Sequence, residues 1–377
     1  MTCGASAPHR PGSTLRQASR QLLHLTSIII LCCPVLEFYD ECINPLRGQL
    51  AHTTMFSSLH APASPFDPPS TISVILSSPL RFLLRLTHHI LTSLRSSPTL
   101  SAHPIRIVCI SDTHTLTQPI PDGDILIHAG DLTNTGTVAE LQSQINWLRS
   151  LPHAHKIAIA GNHDTYLDPR SRGTLAPGDR EGELEWGDVK YLQYSSTILR
   201  VATDGGGVRT LKVYGAPPIP ACGGPEFAFQ YPRGRDAWSD TVPADIDILV
   251  THTPPKYHLD LPASLGCEWL LREVWRVQPT LHVFGHVHAG AGREVVWWDE
   301  EQSAFERGCA AFGHGWLWDL VSVKGYIELL RVVIFGISGI VWDRVWGGEA
   351  RGCVLVNAAL TVNNTGKLGN EVQVVEI

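Results

Sequence analysis

From residue 105 onward the chain alternates short apolar runs with polar, glycine-containing breaks. The runs at 105–110 (IRIVCI), 125–128 (ILIH), 156–160 (KIAIA), 246–251 (IDILVT) and 281–284 (LHVF) have the length and aliphatic density of buried strands. Further strands are predicted at 197–201, 211–214, 294–298, 353–357 and 372–377, with Gly205-Gly206-Gly207 as a turn between the first two. Between 137 and 151 the period changes: Val138, Leu141, Ile145 and Leu148 recur at helical spacing. Thr137 is the predicted N-cap, with Glu140 completing a capping box. A second helix is predicted over 265–277, stopped by Pro279, while 168–188 is rich in Gly, Pro and charge and reads as a loop. Strands alternating with helices point to the α/β class. Residues 312–350 interrupt the alternation. Within them 320–342 is mostly apolar but carries Lys324, Glu328 and Arg331, which argues against a transmembrane span. An amphipathic helical insertion is expected there, against the domain or a membrane face.

The first 104 residues have another texture, rich in Ser, Thr, Pro and Leu and without any of the 11 tryptophans. The run 22–36 (LLHLTSIIILCCPVL) follows Arg10, Arg16 and Arg20 and resembles a signal-peptide apolar region or a weak anchor. It is short for a span, which needs about 20 apolar residues, and His24 and Pro34 narrow it further. The segment 72–94 places Leu80, Leu83, Leu84, Leu91 and Leu94 near helical spacing, with Arg81, Arg85 and Arg95 interleaved. It reads either as a basic helix on a membrane surface or as a helix packed on the domain. Met1 and Met55 are the two methionines, so 1–54 is expected to be an upstream extension of the gene model, ahead of a domain at 105–377.

Composition sharpens this reading. Hydrophobic residues make up 44% and charged residues 17%, the balance of a globular chain. The net charge of −7 divides unevenly, +3 over 1–104 and −10 over the remainder. An acidic body argues against a protein that coats nucleic acid and suits a site that gathers carboxylates. Nine cysteines at irregular spacing, without a Cys-x-x-Cys pair, read as free thiols of a reduced, cytoplasmic chain.

The candidate chemistry sits at the strand ends. IRIVCI runs into Ser-Asp112-Thr-His114 and ILIH into Ala-Gly-Asp131. KIAIA runs into Gly-Asn162-His163-Asp164, IDILVT into His252, and LHVF into Gly-His286-Val-His288. Alone, most of these motifs read as ordinary turns or strand ends, and Gly-His286-Val-His288 is the more specific one. In an open α/β sheet, however, strand carboxyl ends share one rim, so five strands deliver carboxylate, imidazole and amide donors to one place. An Asp-x-His or His-x-His pair puts two donors on one side of an extended segment, and glycine before Asp131 and Asn162 permits close backbone approach. Asp131 has two oxygens and can bridge two metals. Mixed N and O donors suit Mn²⁺, Fe or Zn²⁺, held about 3.5–4 Å apart as in two-metal hydrolytic sites. His128, His258 and His282 lie off the pattern and are expected to be structural.

With these blocks in this order, the chain resembles the calcineurin-like metallophosphoesterases, strongly over 105–290. ISDTHT, HAGDLT, AGNHD and THTPP are similar to the branch of fetal-brain metallophosphoesterases and their fungal homologues, which resembles class III cyclic nucleotide phosphodiesterases. The resemblance implies a four-layer α/β/β/α sandwich. It also implies one divalent metal, Mn²⁺ by preference, on Asp112, His114, Asp131 and His288, and a second on Asp131, Asn162, His252 and His286. His163 would face the substrate phosphate and assist the leaving group; Asp164 would orient neighbouring imidazoles. Some members of the branch lack the first histidine of the last motif, which this chain keeps as His286. The implied reaction is attack of a metal-bridging hydroxide on a small-molecule phosphate ester, preferably a diester. The alternatives are a protein phosphatase or a non-catalytic metal- or nucleotide-binding regulator. Peripheral membrane association through 72–94 and 320–342 is a separate expectation.

Overall fold

The computed structural model describes residues 64–98, 103–203, 205–348 and 351–377. The apolar run 22–36 and Met55 lie outside the described residues. Two sheets carry the structure. In the first, β1 (Arg106–Ile110), β2 (Ile125–His128), β3 (His155–Ala158) and β4 (Val189–Tyr191) run parallel. The C-terminal strand β13 (Gln373–Glu376) closes its edge antiparallel to β1. The second sheet begins with the hairpin of β5 (Ser195–Ala202) and β6 (Val208–Ala216). It continues in parallel through β9 (Ile248–Thr251), β10 (Leu281–Phe284) and β12 (Gly352–Asn357), and ends on the antiparallel β11 (Gly292–Trp297). A small pair, β7 (Ile219–Pro220) and β8 (Gln230–Tyr231), lies apart.

The strand runs are apolar throughout because both faces of each sheet are covered. Ile107, Cys109, Ile125 and Ile127 of the first sheet meet Val213, Ile248, Val250 and Val283 of the second in one buried core. The alternate residues Val108, Ile110, Leu126 and Ala158 turn the other way, onto Leu141 and Leu148 of a helix. On the far side Tyr214 and Leu249 meet Leu270, Val274 and Val277 of another. The order is helix, sheet, sheet, helix, the α/β/β/α sandwich.

Seven α-helices are described: α1 (Thr71–Ser77), α2 (Pro79–Ser93), α3 (Val138–Ser150), α4 (Glu268–Val277), α5 (Glu300–Ala311), α6 (Trp316–Leu320) and α7 (Val323–Arg344). Thr137 caps α3 by accepting from the Glu140 N–H at 3.2 Å. The Glu140 carboxylate reaches past the N-cap to the N–H groups of Thr135 and Gly136, so the box is displaced outward. Helix α4 starts later than the apolar period predicts, because the Cys267 sulfur accepts from Leu270 N–H and sets the cap. Two short 3₁₀ turns, Arg172–Thr174 and Pro177–Asp179, structure part of the 168–188 loop.

Helix α5 has no counterpart in the hydrophobic pattern. Its buried side includes Glu301, Gln302 and Glu306 beside Ala304, Phe305 and Cys309, so its inward stripe is half polar. The two glutamates meet partners distant in sequence: His88 of α2 binds Glu301 at 2.8 Å, and Trp275 donates to Glu306 at 2.7 Å. Helices α2, α5 and α7 pack together around Leu84, Phe305, Phe312 and Val332. The basic residues of α2 are used inside the protein. Arg81 donates to the Pro262 carbonyl, and Arg95, just beyond the end of α2, is buried and donates to Asp343 at 2.9 Å.

His258, expected to be structural, lies at the joint between sheet and helices. It is buried between Glu294 of β11 at 2.6 Å and Glu306 of α5 at 3.1 Å. Burial disfavours its charged form, but the two carboxylates reverse this and raise its pKa from 6.5 to about 10. A raised imidazolium pKa adds stability that is complete below the unfolded value and is lost as pH climbs through the folded one. Thermal stability should therefore decline from pH 6.5 towards about 10, and His258→Gln should be less stable at the acid end and flatter across that window. Equal slopes for the two proteins in pH-resolved melting would remove His258 as the cause.

Candidate metal centre

The sandwich brings the five strand ends to one rim, and the loops leaving them turn sharply. Asp112 (φ 53°), His114 (φ 46°), Asp131 (φ 54°) and His286 (φ 67°) all take left-handed backbone. That conformation costs a non-glycine residue about 1–3 kcal/mol and gathers at functional sites. Here it bends the chain back over the strand end so that the side chain points into the rim. Two motif glycines make room. A Cβ at Gly161 would lie 2.2 Å from the Asp131 carboxylate, and one at Gly285 would lie 2.1 Å from that of Asp112.

Four imidazoles are oriented in the same way. The Nδ1–H of His114 donates to the Thr133 carbonyl at 3.2 Å, that of His252 to Ala129 at 2.8 Å, that of His288 to Asn363 at 2.6 Å and that of His163 to Asn134 at 2.8 Å. A carbonyl only accepts, so each Nδ1 holds its proton, and Nε2 is the atom that is left to offer a lone pair whenever the ring is neutral. Those Nε2 atoms converge on acceptors and on one another. His114 Nε2 and His288 Nε2 face each other at 3.3 Å, with Asp112 Oδ1 3.1 Å from the latter. His252 Nε2 lies 3.1 Å from Asn162 Oδ1 and 3.3 Å from Asp131 Oδ2. Asp131 is also 3.9 Å from His114 Nε2, so it stands between the two nests. His286 Nε2 is buried with no hydrogen-bond partner among the described residues.

The electrostatics are those of a site arranged for cations. Burial pushes the Asp112 carboxyl up, but the hydrogen bond and charge of His288 overcome this and hold it well below the usual carboxylate range. Asp131 is likewise held down, against burial, by His252 and His163. His252, opposed by burial but facing Asp131, is raised to about 9. His286 is lowered to about 3 by burial and by the charge of His252. Donor atoms of Asp112, His114 and His288 lie within 4.8 Å of one another, as do those of Asp131, His252 and His286, and those of His114, Asp131 and His163. The acceptor-only donor set and the orphaned nitrogen fit divalent metals.

Asp164 occupies a different place from the one expected of it. Its carboxylate accepts from the N–H groups of Gly161, Leu132 and Thr133 and from the Thr133 hydroxyl at 2.8 Å. These bonds tie the Asp131 loop to the Asn162 loop and reach no imidazole. Buried beside Asp131, it has a pKa raised to about 6. His128 and His282 pair with Thr113 and Thr251 beneath the rim.

Several contributors carry no signal in the motifs. The carbonyls of Thr133, Ala129, Asn134 and Asn363 orient the rings, and any residue type supplies a carbonyl. Asn370 donates to the carbonyls of His288, Ala359 and Thr361, and the Thr361 hydroxyl donates to that of Asp112 at 2.7 Å. The asparagine-rich C-terminal stretch thereby braces both edges of one nest. The rings of Phe66, 5.3 Å from His286, and Phe227, 4.9 Å from His163, stand beside the centre.

Residues 105–290 match the family model described as calcineurin-like phosphoesterase. The chain is 45% identical over 257 residues to the probable rhamnogalacturonate lyase C of Emericella nidulans, which covers 68% of this chain and 23% of that protein. It is 40% identical over 203 residues to metallophosphoesterase domain-containing protein 1 of Homo sapiens, 50% of this chain and 61% of that one. A UPF0046 protein of Caenorhabditis elegans is 38% identical over 203 residues, covering 50% of this chain and 70% of its own length. The chain thus spans under a quarter of the first relative and about three fifths of the second.

Because a Cβ at Gly285 would displace the Asp112 carboxylate, Gly285→Ala should weaken divalent-metal binding by about 10- to 100-fold. Titration calorimetry with Mn²⁺ measures this. Wild-type affinity in the variant would mean that Asp112 is not a donor.

Proposed function

The chain belongs to the calcineurin-like phosphoesterase family, and from that premise we propose that it hydrolyses a small phosphodiester at a dinuclear metal centre. Membership supports metal-dependent phosphoester hydrolysis in general. The observation that carries the finer reading is the convergence of imidazole lone pairs on Asp112 on one side and on Asp131 and Asn162 on the other. On this reading Asp112, His114, Asp131 and His288 hold one metal, and Asp131, Asn162, His252 and His286 the other. Manganese is the preferred ion, with iron or zinc as alternatives. Such ions supply Lewis-acid neutralisation of phosphoryl charge and a water acidified enough to attack at neutral pH.

The protein's own groups account for the remaining steps. Backbone carbonyls hold three of the ligand imidazoles in the tautomer that binds metal. His163, also fixed through Nδ1, carries a proton at Nε2 for the departing oxygen when it is an imidazolium. Asp164 keeps the two loops in register, so it is a positioning residue here. Phe66 and Phe227 wall the centre on two sides, which favours a small ester over the broad groove a phosphorylated peptide needs. A non-catalytic regulator is disfavoured because each donor of both nests is present.

The expected outcome is hydrolysis of bis-p-nitrophenyl phosphate by Mn²⁺-replete protein, faster than that of p-nitrophenyl phosphate or a phosphopeptide. Asp131→Asn and His252→Ala should lose metal and activity together. His163→Gln should keep its metal and lose about 10²–10⁴-fold in kcat. No turnover of any ester by protein with both sites filled would overturn the catalytic reading. Preferential turnover of the phosphopeptide would replace the substrate class.

A further inference from the structure

Helix α7 is polar inside and apolar outside, the reverse of an ordinary surface helix. Its buried positions are Gly325, Glu328, Val332, Gly336 and Asp343, recurring at helical spacing along one side. The glycines let neighbours come close: a Cβ at Gly325 would strike Phe312, and one at Gly336 would strike Leu91 of α2. The two acids are matched within the protein, Glu328 by Arg307 and Arg331 at 3.1 Å each, and Asp343 by Arg95. The opposite side is a continuous aliphatic ridge of Val323, Ile327, Leu330, Ile334, Ile337 and Val345. Leu330 is 59% and Val345 71% exposed, values of side chains standing free in water. A monomeric soluble protein rarely leaves so long an apolar surface uncovered.

The charge around the ridge is of one sign. Lys324, Arg331 and Arg344 are exposed on α7, Arg331 beside Glu328 and Arg344 on the Leu94 and Arg95 carbonyls, whereas Asp319, Glu328 and Asp343 are buried. Exposed tryptophans mark both ends, Trp316 and Trp318 from α6 at one and Trp342 and Trp346 at the other. Aliphatic side chains on the outermost line, cations beside them and tryptophan at the ends is the arrangement of a helix lying in a lipid interface.

We propose that α6 and α7 form a membrane-docking face that seats the domain on an anionic lipid surface, with α7 parallel to the membrane plane. By length and composition α7 could cross a membrane, but its polar side is packed on α2 and α5 along its course. It spans about 33 Å at 1.5 Å per residue and presents that whole length sideways. A second copy of the chain is a poor occupant, since like faces would bring the cations together with no exposed acid on the helix to meet them. Of the two apolar segments expected to touch membrane, 320–342 carries the proposal. The segment 72–94 does not, because Leu80, Leu84 and Leu91 pack against α5 and α7 and Arg81 is engaged within the protein.

The test is flotation of the full chain with phosphatidylcholine vesicles, with and without phosphatidylserine, for the wild type, the double variant Ile334→Asp/Ile337→Asp, and Lys324→Glu. The wild type should float with the anionic vesicles, less so at high salt. The double variant should lose at least about tenfold in vesicle affinity, and Lys324→Glu should lose part of the anionic preference, both with wild-type melting temperatures. Should the double variant not fold, tryptophan emission of the wild type serves in its place: it should shift to the blue and be quenched by brominated lipid when vesicles are added. A wild type that ignores both vesicle types overturns the proposal. So does a double variant that floats as well as the wild type, which would assign binding to another segment. Self-association abolished by the same substitutions, without vesicle binding, would make the face a contact between copies and overturn it too.

Discussion

Acceptors crowded against acceptors are the constraint on which the rest of this structure depends. Two carboxylates, an amide oxygen and imidazole lone pairs are packed at about hydrogen-bond distance with few protons to share. In a buried site such an arrangement is repulsive until positive charge enters it. The pKa of His252, raised by Asp131 against burial, reflects the same pull of the site on positive charge. Divalent cations would relieve the repulsion at every donor together, which is why groups that repel one another would bind metal well.

The architecture is arranged to hold the repulsion in place. Parallel strands end together, left-handed residues turn each loop inward, and glycines at 161 and 285 let the carboxylates approach. Asp164 and Asn370 tie neighbouring loops through main-chain groups, so no single ligand loop can relax alone. The backbone cost of the left-handed residues is carried by a core that buries both faces of both sheets. Stability is concentrated in the sandwich, and local strain at its rim.

The helical annexe follows a different logic. Its inward side is rich in salt bridges and glycine and its outward side in aliphatic residues, so the rule that places apolar residues in the core is inverted along α7. The inversion also explains why α5 escaped the hydrophobic pattern. A helix that buries Glu301 and Glu306 shows a full stripe only when the residues that satisfy them, His88, His258 and Trp275, are in view.

Within the sandwich, the linear chain was sufficient for much. Apolar runs identified the main strands of both sheets, since strands buried on both faces are apolar at most positions. Strand-end motifs marked where donors would stand, because parallel strands share a carboxyl rim. What the chain could not encode locally is anything that depends on partners distant along it. The tautomer of each imidazole is decided by a carbonyl of another loop, such as Asn363 for His288. Asp164 became a latch between loops because Gly161, Leu132 and Thr133 surround it in space. Which side of α7 faces outward was decided by Arg95 and Arg307, which reach its acids from outside the helix. Sequence therefore determined the donor types and the rim they would occupy; tertiary structure decided protonation, orientation and exposure, because those follow from which charges and carbonyls come within hydrogen-bond reach.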